Sequence, residues 1–342
     1  MTEFMGVRDA VRWVSMRGIE PIVTELVEYL EQDFRRWGEF DKAPRVAKYT
    51  PLGAIELMPT CDAEFYAFKY VNGHPSNPAR GFQTVVAFGV LANVHNGYPV
   101  FMAEMTLLTA LRTAATSAMA AGALARPDSR VLALIGAGSQ SEFQALAMRA
   151  IVGIDTVMIY DRDQDAAEKC ARNLKPMGLH VTVASSAAEA CAHADIVTTC
   201  TADKSVSAVL TDNDVRPGVH INAIGGDCPG KTELDPAILD RGPVFVEFPP
   251  QTRIEGEIQA KPADFPVTEL WKVLSGLAPG RTDPDQVTIF DSVGFAIEDF
   301  SVLRYARDQA RGTDYARPID LIAEPEDPKD LFGLIHVLSP VK

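Results

Sequence analysis

VLALIGAGSQSEFQALAM, residues 131–148, decides how this chain folds. Residues 131–135 are a short continuous apolar run, the pattern of a strand buried on both faces. Gly136-Ala137-Gly138-Ser139-Gln140-Ser141 follows, and then Phe143, Leu146, Ala147 and Ala150 recur at helical spacing. Strand, glycine turn and helix in that order form a cradle for the pyrophosphate of a dinucleotide. Gly136 and Gly138 permit a tight turn and close approach, and the first N–H groups of the helix carry partial positive charge. Ser141 stands where the third glycine of the usual motif would be, so the turn alone is a weak signal and its surroundings must carry the reading.

The surroundings supply it. Twenty positions beyond Ser141, after the apolar run TVMIY (156–160), stands Asp161. A carboxylate at that strand end accepts hydrogen bonds from ribose hydroxyls and repels a 2′-phosphate, which favours NAD over NADP; Arg162 next to it is able to pair with a phosphate and pulls the other way. Thr201, just past DIVTTC (195–200), reads either as a cofactor contact on the same edge or as an ordinary strand-end threonine.

The same texture continues outward. HVTVA (180–184), VHINAI (219–224), PVFVEF (243–248) and QVTIFD (286–291) are further apolar runs separated by helical segments. That alternation predicts an α/β fold with a doubly wound, Rossmann-type parallel sheet. Upstream the pattern differs. Residues 22–37 predict an amphipathic helix, and TVVAFGVLANV (84–94) and YPVFMAEM (98–105) predict a hairpin across His95-Asn96-Gly97-Tyr98. The Ala- and Leu-rich stretch 106–126 predicts a long helix leading out. FAIEDFSVLRYARDQA (295–310) predicts a helix returning the chain to this first region. The expected organisation is a discontinuous α+β domain, residues 1–125 completed by 300–342, around a dinucleotide-binding domain, 126–299.

Composition narrows the function classes. A formal charge of −14 argues against a nucleic-acid backbone or an anionic membrane surface as partner. The first residues lack a signal-peptide core and no run approaches 18 apolar residues, so neither export nor a membrane span is expected. Five cysteines without a CxxC, and histidines that do not cluster with acids, predict free thiols in a reducing cytoplasm and no metal site.

The residues suited to chemistry lie in a few short stretches. In INAIGGDCPGKTEL (221–234) a strand runs into two glycines and Asp227, at the edge where ligands of doubly wound sheets bind. Glycines there would admit nicotinamide and substrate, with Asp227 moving protons; a plain turn aspartate is the other reading. Arg45 in KAPRVAKY, Lys69 in YAFKYVNGHP and Arg112 in TALRTAATS are either surface cations or a set facing an amino acid's carboxylate. Lys69, among apolar neighbours, would have a lowered pKa. Glu56 in the apolar IELMP is either an edge residue or a buried acid waiting for an ammonium group.

Taken together, IELMP, FKYVNGHP, TALRTAATS, IGAGSQSEFQALA, INAIGGDCPGKTEL, EFPPQTRIEGEIQ, DFPVTELW and FDSVGFAIEDFSVLRY resemble the ornithine cyclodeaminase and μ-crystallin family over nearly the whole chain. The resemblance implies a homodimer whose subunits each combine a substrate-binding and dimerisation domain with a Rossmann domain holding NAD. It implies substrate contacts from Arg45, Lys69, Arg112 and Val293, with Asp227 as acid/base and Lys69 beside it. It implies cofactor contacts from Thr84, Arg112, Ser139, Gln140, Asp161, Thr201, the segment Asn222, Ala223 and Ile224, Lys231 and Ser292. The activity implied converts L-ornithine to L-proline and ammonia. The Cα hydride is lent to NAD, the side-chain amine closes the ring on the resulting imine, ammonia leaves and the hydride returns. Lysine cyclodeamination to pipecolate, an amino-acid dehydrogenase or ketimine reductase, and a crystallin-like binding protein without turnover are the alternatives.

Overall fold

The computed structural model describes residues 1–202 and 208–337; the last five positions of the 300–342 segment lie outside the described residues. The chain opens with strand β1 (Thr2–Met5), helices α1 (Val7–Arg17) and α2 (Ile19–Arg35), and strands β2 (Asp41–Lys42), β3 (Val46–Thr50), β4 (Gly53–Cys61), β5 (Phe65–Gly73), β6 (Val85–Asn93) and β7 (Pro99–Glu104). Gly18, at φ 86°, separates α1 from α2, which begins three residues before the expected helix and ends two residues short of Trp37, which sits in a 3₁₀ turn. With β16 (Arg317–Ile319) these strands form one sheet in the order β16-β1-β7-β6-β5-β4-β2, and β3 also pairs with β4. All neighbours are antiparallel except β1 and β7.

Helix α3 (Thr106–Leu124) links this sheet to the next. By length and composition it could cross a bilayer, but Arg112 and its threonines interrupt the apolar run and most of its residues are buried inside the protein. An interior helix is apolar on all sides for the same reason a membrane helix is.

The second half alternates β8 (Val131–Ile135), α4 (Ser141–Val152), β9 (Thr156–Tyr160), α5 (Gln164–Leu174), β10 (His180–Val183), α6 (Ala187–Cys191), β11 (Ile196–Thr199) and β12 (His220–Ala223). Then come β13 (Val244–Val246), α7 (Pro249–Glu255), β14 (Thr268–Glu269), α8 (Leu270–Leu274), β15 (Thr288–Asp291) and α9 (Ala296–Ala310), before β16 and the short α10 (Gly333–Val337). The order β10-β9-β8-β11-β12-β15-β13-β14 is parallel throughout. This is the doubly wound Rossmann-type α/β arrangement, and its direction reverses between β8 and β11, the place where such sheets bind ligands. Helix α9 leaves β15 and packs back on β4, β5 and β6 and against α2. Its inward face therefore touches the first sheet while its N-terminus remains beside the second.

Candidate active site

A cavity of about 1000 Å³ opens between the two sheets. Its walls come from the carboxyl ends of β8, β9 and β11, from the inward faces of β4 and β5, and from α3.

One end is the glycine turn. Gly136 has φ +108°, and a Cβ on it would stand 2.8 Å from the carbonyl oxygen of Cys200, so only glycine lets β8 and β11 close up here. A Cβ on Gly138 would meet nothing, which leaves the turn open to the cavity. Ser141 closes the turn itself: its hydroxyl donates to Gly138 O at 2.7 Å. Asp161 accepts from the backbone N–H groups of Ala137 at 2.7 Å and Asp163 at 2.8 Å, so it braces the turn while lining the cavity. Ser139, Gln140, Arg162 and Thr84 line the same end, and Gln140 Oε1 is buried without a partner. Thr201, Ile224, Lys231 and Ser292 continue the wall. Asn222 and Ala223 do not reach it: both are fully buried within β12, and Asn222 Oδ1 faces His220 Nε2 at 3.2 Å. Of that segment only Ile224 meets the cavity.

At the other end the structure gathers Arg45, Lys69 and Arg112, none of which is a surface cation. Each is matched to acids from a distant part of the chain. Lys69 Nζ donates to Asp299 Oδ1 at 2.8 Å, and Arg112 faces Glu298 and, at 3.1 Å, Asp299, both on α9. Arg45 pairs with Glu56 and Glu255, each at 3.1 Å, and donates to Gly294 O at 2.8 Å and to Val293 O. Burial, with Arg112 and Arg45 close by, lowers the Lys69 pKa to about 8 against the pull of Asp299. Burial opposes charge on Arg45 too, but Glu56, Glu255 and Asp227 together raise its pKa. Glu56 is buried and already occupied by Arg45 rather than isolated in an apolar setting. Thr109, one turn before Arg112 on α3, also lines this end with an unpartnered buried hydroxyl.

Asp227 sits on the rim between the two ends, its side chain 57% exposed, with Lys231 Nζ 3.3 Å away. Lys231 also donates to Thr201 O at 2.9 Å. Gly225, the first of the two glycines before Asp227, lines the cavity, and both also stand against acids of the protein. A Cβ on Gly225 would lie 2.0 Å from the Glu233 carboxylate, and one on Gly226 would lie 2.8 Å from Glu257 Oε1. They make room for buried carboxylates of the protein itself. Glu233 accepts from the Thr201 backbone N–H at 2.9 Å and from its hydroxyl, and Glu257 accepts from the N–H groups of Glu233 and Leu234.

The acids Glu233, Glu247, Glu255, Glu298 and Asp299 were not singled out in the sequence. All five stand in the conspicuous stretches INAIGGDCPGKTEL, EFPPQTRIEGEIQ and, for the last pair, FDSVGFAIEDFSVLRY, and an acid that recurs inside an otherwise apolar run was the available signal. Their partners lie as far as 230 positions away, as for Lys69 and Asp299, and spacing cannot show that.

Known proteins are similar to this chain in sequence and fold. An ornithine cyclodeaminase of Agrobacterium fabrum is 56% identical over 332 residues, 97% of this chain and 94% of that one. A structure described as the basis for recognition of L-lysine, L-ornithine and L-2,4-diaminobutyric acid by lysine cyclodeaminase superposes with a TM-score of 0.84 at 31% identity, covering 93% of this chain and 96% of its own. An archaeal alanine dehydrogenase dimer with bound NAD gives 0.81 at 31% identity, covering 93% and 99%. The sequence profile of the ornithine cyclodeaminase/mu-crystallin family matches residues 8–314, and with a near full-length relative at this identity the chain belongs to that family.

Proposed function

We propose that this chain converts L-ornithine to L-proline and ammonia using tightly held NAD. One observation carries the reading: a single cavity joins a dinucleotide turn at one end to a buried set of two arginines and a lysine at the other, with Asp227 on the rim between them. The 56% identical ornithine cyclodeaminase supports the substrate.

The residues fit the cofactor. The open backbone at Gly138, the N-terminus of α4, the unpartnered Gln140 Oε1 and the Asp161 carboxylate supply the donors and acceptors that a pyrophosphate and a ribose need. When bound, NAD supplies a reversible two-electron acceptor, so substrate and product stand at the same oxidation level. The chain's own groups do the rest. Arg112, Lys69 and the remaining Nη1 hydrogen of Arg45 bind the α-carboxylate and fix Cα in the cavity. Glu56 and Asp227 draw the distal ammonium toward the rim, and Asp227, the solvent-facing acid, takes the proton that frees that amine to close the ring. Holding the two ends of one molecule together makes the ring closure unimolecular. Asp227 then returns a proton to the departing amine, so the net change is ring closure with loss of ammonia.

The chain divides in this reading into residues 1–125 with the segment from 300 onward, which bind substrate, and 126–299, which bind NAD, in a cytoplasmic homodimer. Incubation with ornithine, lysine and a catalytic amount of NAD tests it. Ammonia and proline should form in equal amounts without accumulating NADH, and Asp227→Asn should lose at least a hundredfold in kcat while still binding NAD. Pipecolate from lysine at a higher kcat/KM would instead favour the lysine reading, which the structural likeness to a lysine cyclodeaminase keeps in view. Net NADH formation would overturn both.

A further inference from the structure

Helix α7 buries the wrong kind of residue. Its interior positions are Gln251, Thr252 and Glu255, all polar, and Glu247 just before it is fully buried as well. Glu247, Gln251 and Glu255 are four residues apart, which puts Gln251 and Glu255 on one side of the helix. Buried polar groups persist only where they are paired, and these three converge on Arg45 and on the strand-end loop 292–294. Glu255 Oε2 lies 3.1 Å from Arg45 Nε. Gln251 Oε1 accepts from the Arg45 backbone N–H at 3.1 Å, while its Nε2 donates to Gly294 O at 2.9 Å. Glu247 accepts from the Ser292 hydroxyl and from the Gly294 N–H at 3.3 Å. Val293 O and Gly294 O in turn receive Nη2 of Arg45.

Arg45 itself precedes β3, on the first sheet, and of its side-chain partners Glu56 alone comes from that sheet. The rest belong to the other half of the chain. Nη2 and one Nη1 hydrogen are hydrogen-bonded, and Nε faces the Glu255 carboxylate as an ion pair without a hydrogen bond, so the guanidinium is held on three sides and one Nη1 hydrogen is left for a ligand in the cavity that Arg45 lines. Tyr49, on β3, locks the arrangement by donating its hydroxyl to Glu255 Oε1 at 2.7 Å.

We infer that Glu255, with Gln251, is a positioning residue for substrate: it sets the Arg45 guanidinium from across the cleft, so the carboxylate site is complete only when the two halves of the chain are apposed. Glu255 does not line the cavity, so it acts through Arg45 and touches neither substrate nor cofactor. The inference deepens the proposed function and rests on it for the identity of the substrate.

The test is Glu255→Gln in the NAD-loaded protein, with Tyr49→Phe and Glu255→Asp beside it. Glu255→Gln should raise the ornithine KM about tenfold and weaken pentanoate, a bare carboxylate probe, by a similar factor in calorimetry. The kcat should stay within about twofold, and NAD affinity, read from tryptophan fluorescence, should not change. Tyr49→Phe should show the same split at about two- to threefold, and Glu255→Asp should recover part of the lost affinity. An unchanged KM and pentanoate affinity would overturn the assignment, as would a joint loss of KM, NAD affinity and melting temperature. If the parent protein released no ammonia from ornithine, the substrate reading would fail, and the pentanoate arm would still decide whether Glu255 orders Arg45.

Discussion

Lys69 has one acid to hold and two arginines to resist. It is 1% exposed, and the pKa of about 8 puts its charge change within reach of ordinary assay conditions. A second group titrates in the same window: burial, with Glu298 near it, raises the Glu247 carboxyl to about 8. The signs agree. Raising the pH through 8 removes a positive charge from Lys69 and creates a negative one on Glu247, so both changes weaken an anion in the cavity. Around them stand Arg112, Arg45, Asp299, Glu298 and Glu56, and the arginines keep their charge throughout. The inhibition constant of pentanoate, whose own carboxylate is fully ionised here, should therefore rise severalfold between pH 7 and 9. In Glu247→Gln the rise should persist with a reduced amplitude, because Lys69 alone then titrates. A flat profile in the parent protein would show that Lys69 keeps its proton and that its charge is not what the carboxylate feels.

At the scale of elements, α9 does two jobs. Glu298 and Asp299 in its first turn hold Arg112 and Lys69, and one turn further along, Ser301 and Arg304 reach back to Asp33 of α2 at 2.7 and 2.6 Å. Asp33 is fully buried and also accepts from Arg36 at 2.8 Å. Without Asp33, Arg304 loses its acid, whereas Arg36 keeps Asp62 and Ser301 keeps Ile297 O, so the loss is that of buried hydrogen bonds to a charged group, about 1–3 kcal/mol. Asp33→Ala should lower the free energy of urea unfolding by about that much and should loosen α9 enough to raise the ornithine KM; retention of stability would mean that water replaces the carboxylate freely. This network also shows why the sequence was only partly legible. The parallel strands, the glycine turn and the returning helix declared themselves, because continuous apolar runs and helical spacing are local patterns. Asp33 sits in ordinary helical sequence and Glu247 and Glu255 in a stretch that stood out without showing their partners, and all three acquire meaning only from residues far along the chain. The cations were recognisable as types, but their acids were not. Gly225 and Gly226 were visible as a demand for space, while the occupants of that space, Glu233 and Glu257, could be known only from the fold. Short edge strands such as β14 and β16 were missed because two or three residues carry no periodicity.

Over the whole molecule, the first sheet has one face too many. Along β4 and β5 the inward positions Glu56, Met58, Lys69 and Val71 alternate with outward Ile55, Leu57, Tyr66 and Tyr70, and β6 adds Val86 and Phe88. The inward set lines the cavity or the core, whereas the outward set is apolar and largely exposed, with Tyr70 and Phe88 stacked at 5.2 Å between ring centres. A contiguous apolar sheet face of this kind is the mark of an interface, and the proposed homodimer would cover it. Because side chains alternate across a strand, the same backbone that would present Leu57 and Tyr70 to a second copy turns Glu56 and Lys69 toward the cavity. Covering one face therefore stiffens the other. The parent protein should sediment at about twice the 37.1 kDa chain mass, and Leu57→Glu with Phe88→Glu should reduce it to a single chain by placing unpaired charges in an apolar contact. Activity in that variant should fall about tenfold or more while NAD binding at the distant glycine turn is retained. A monomeric parent protein, or a monomeric variant with full kcat/KM, would break the link between the outer face and the site behind it.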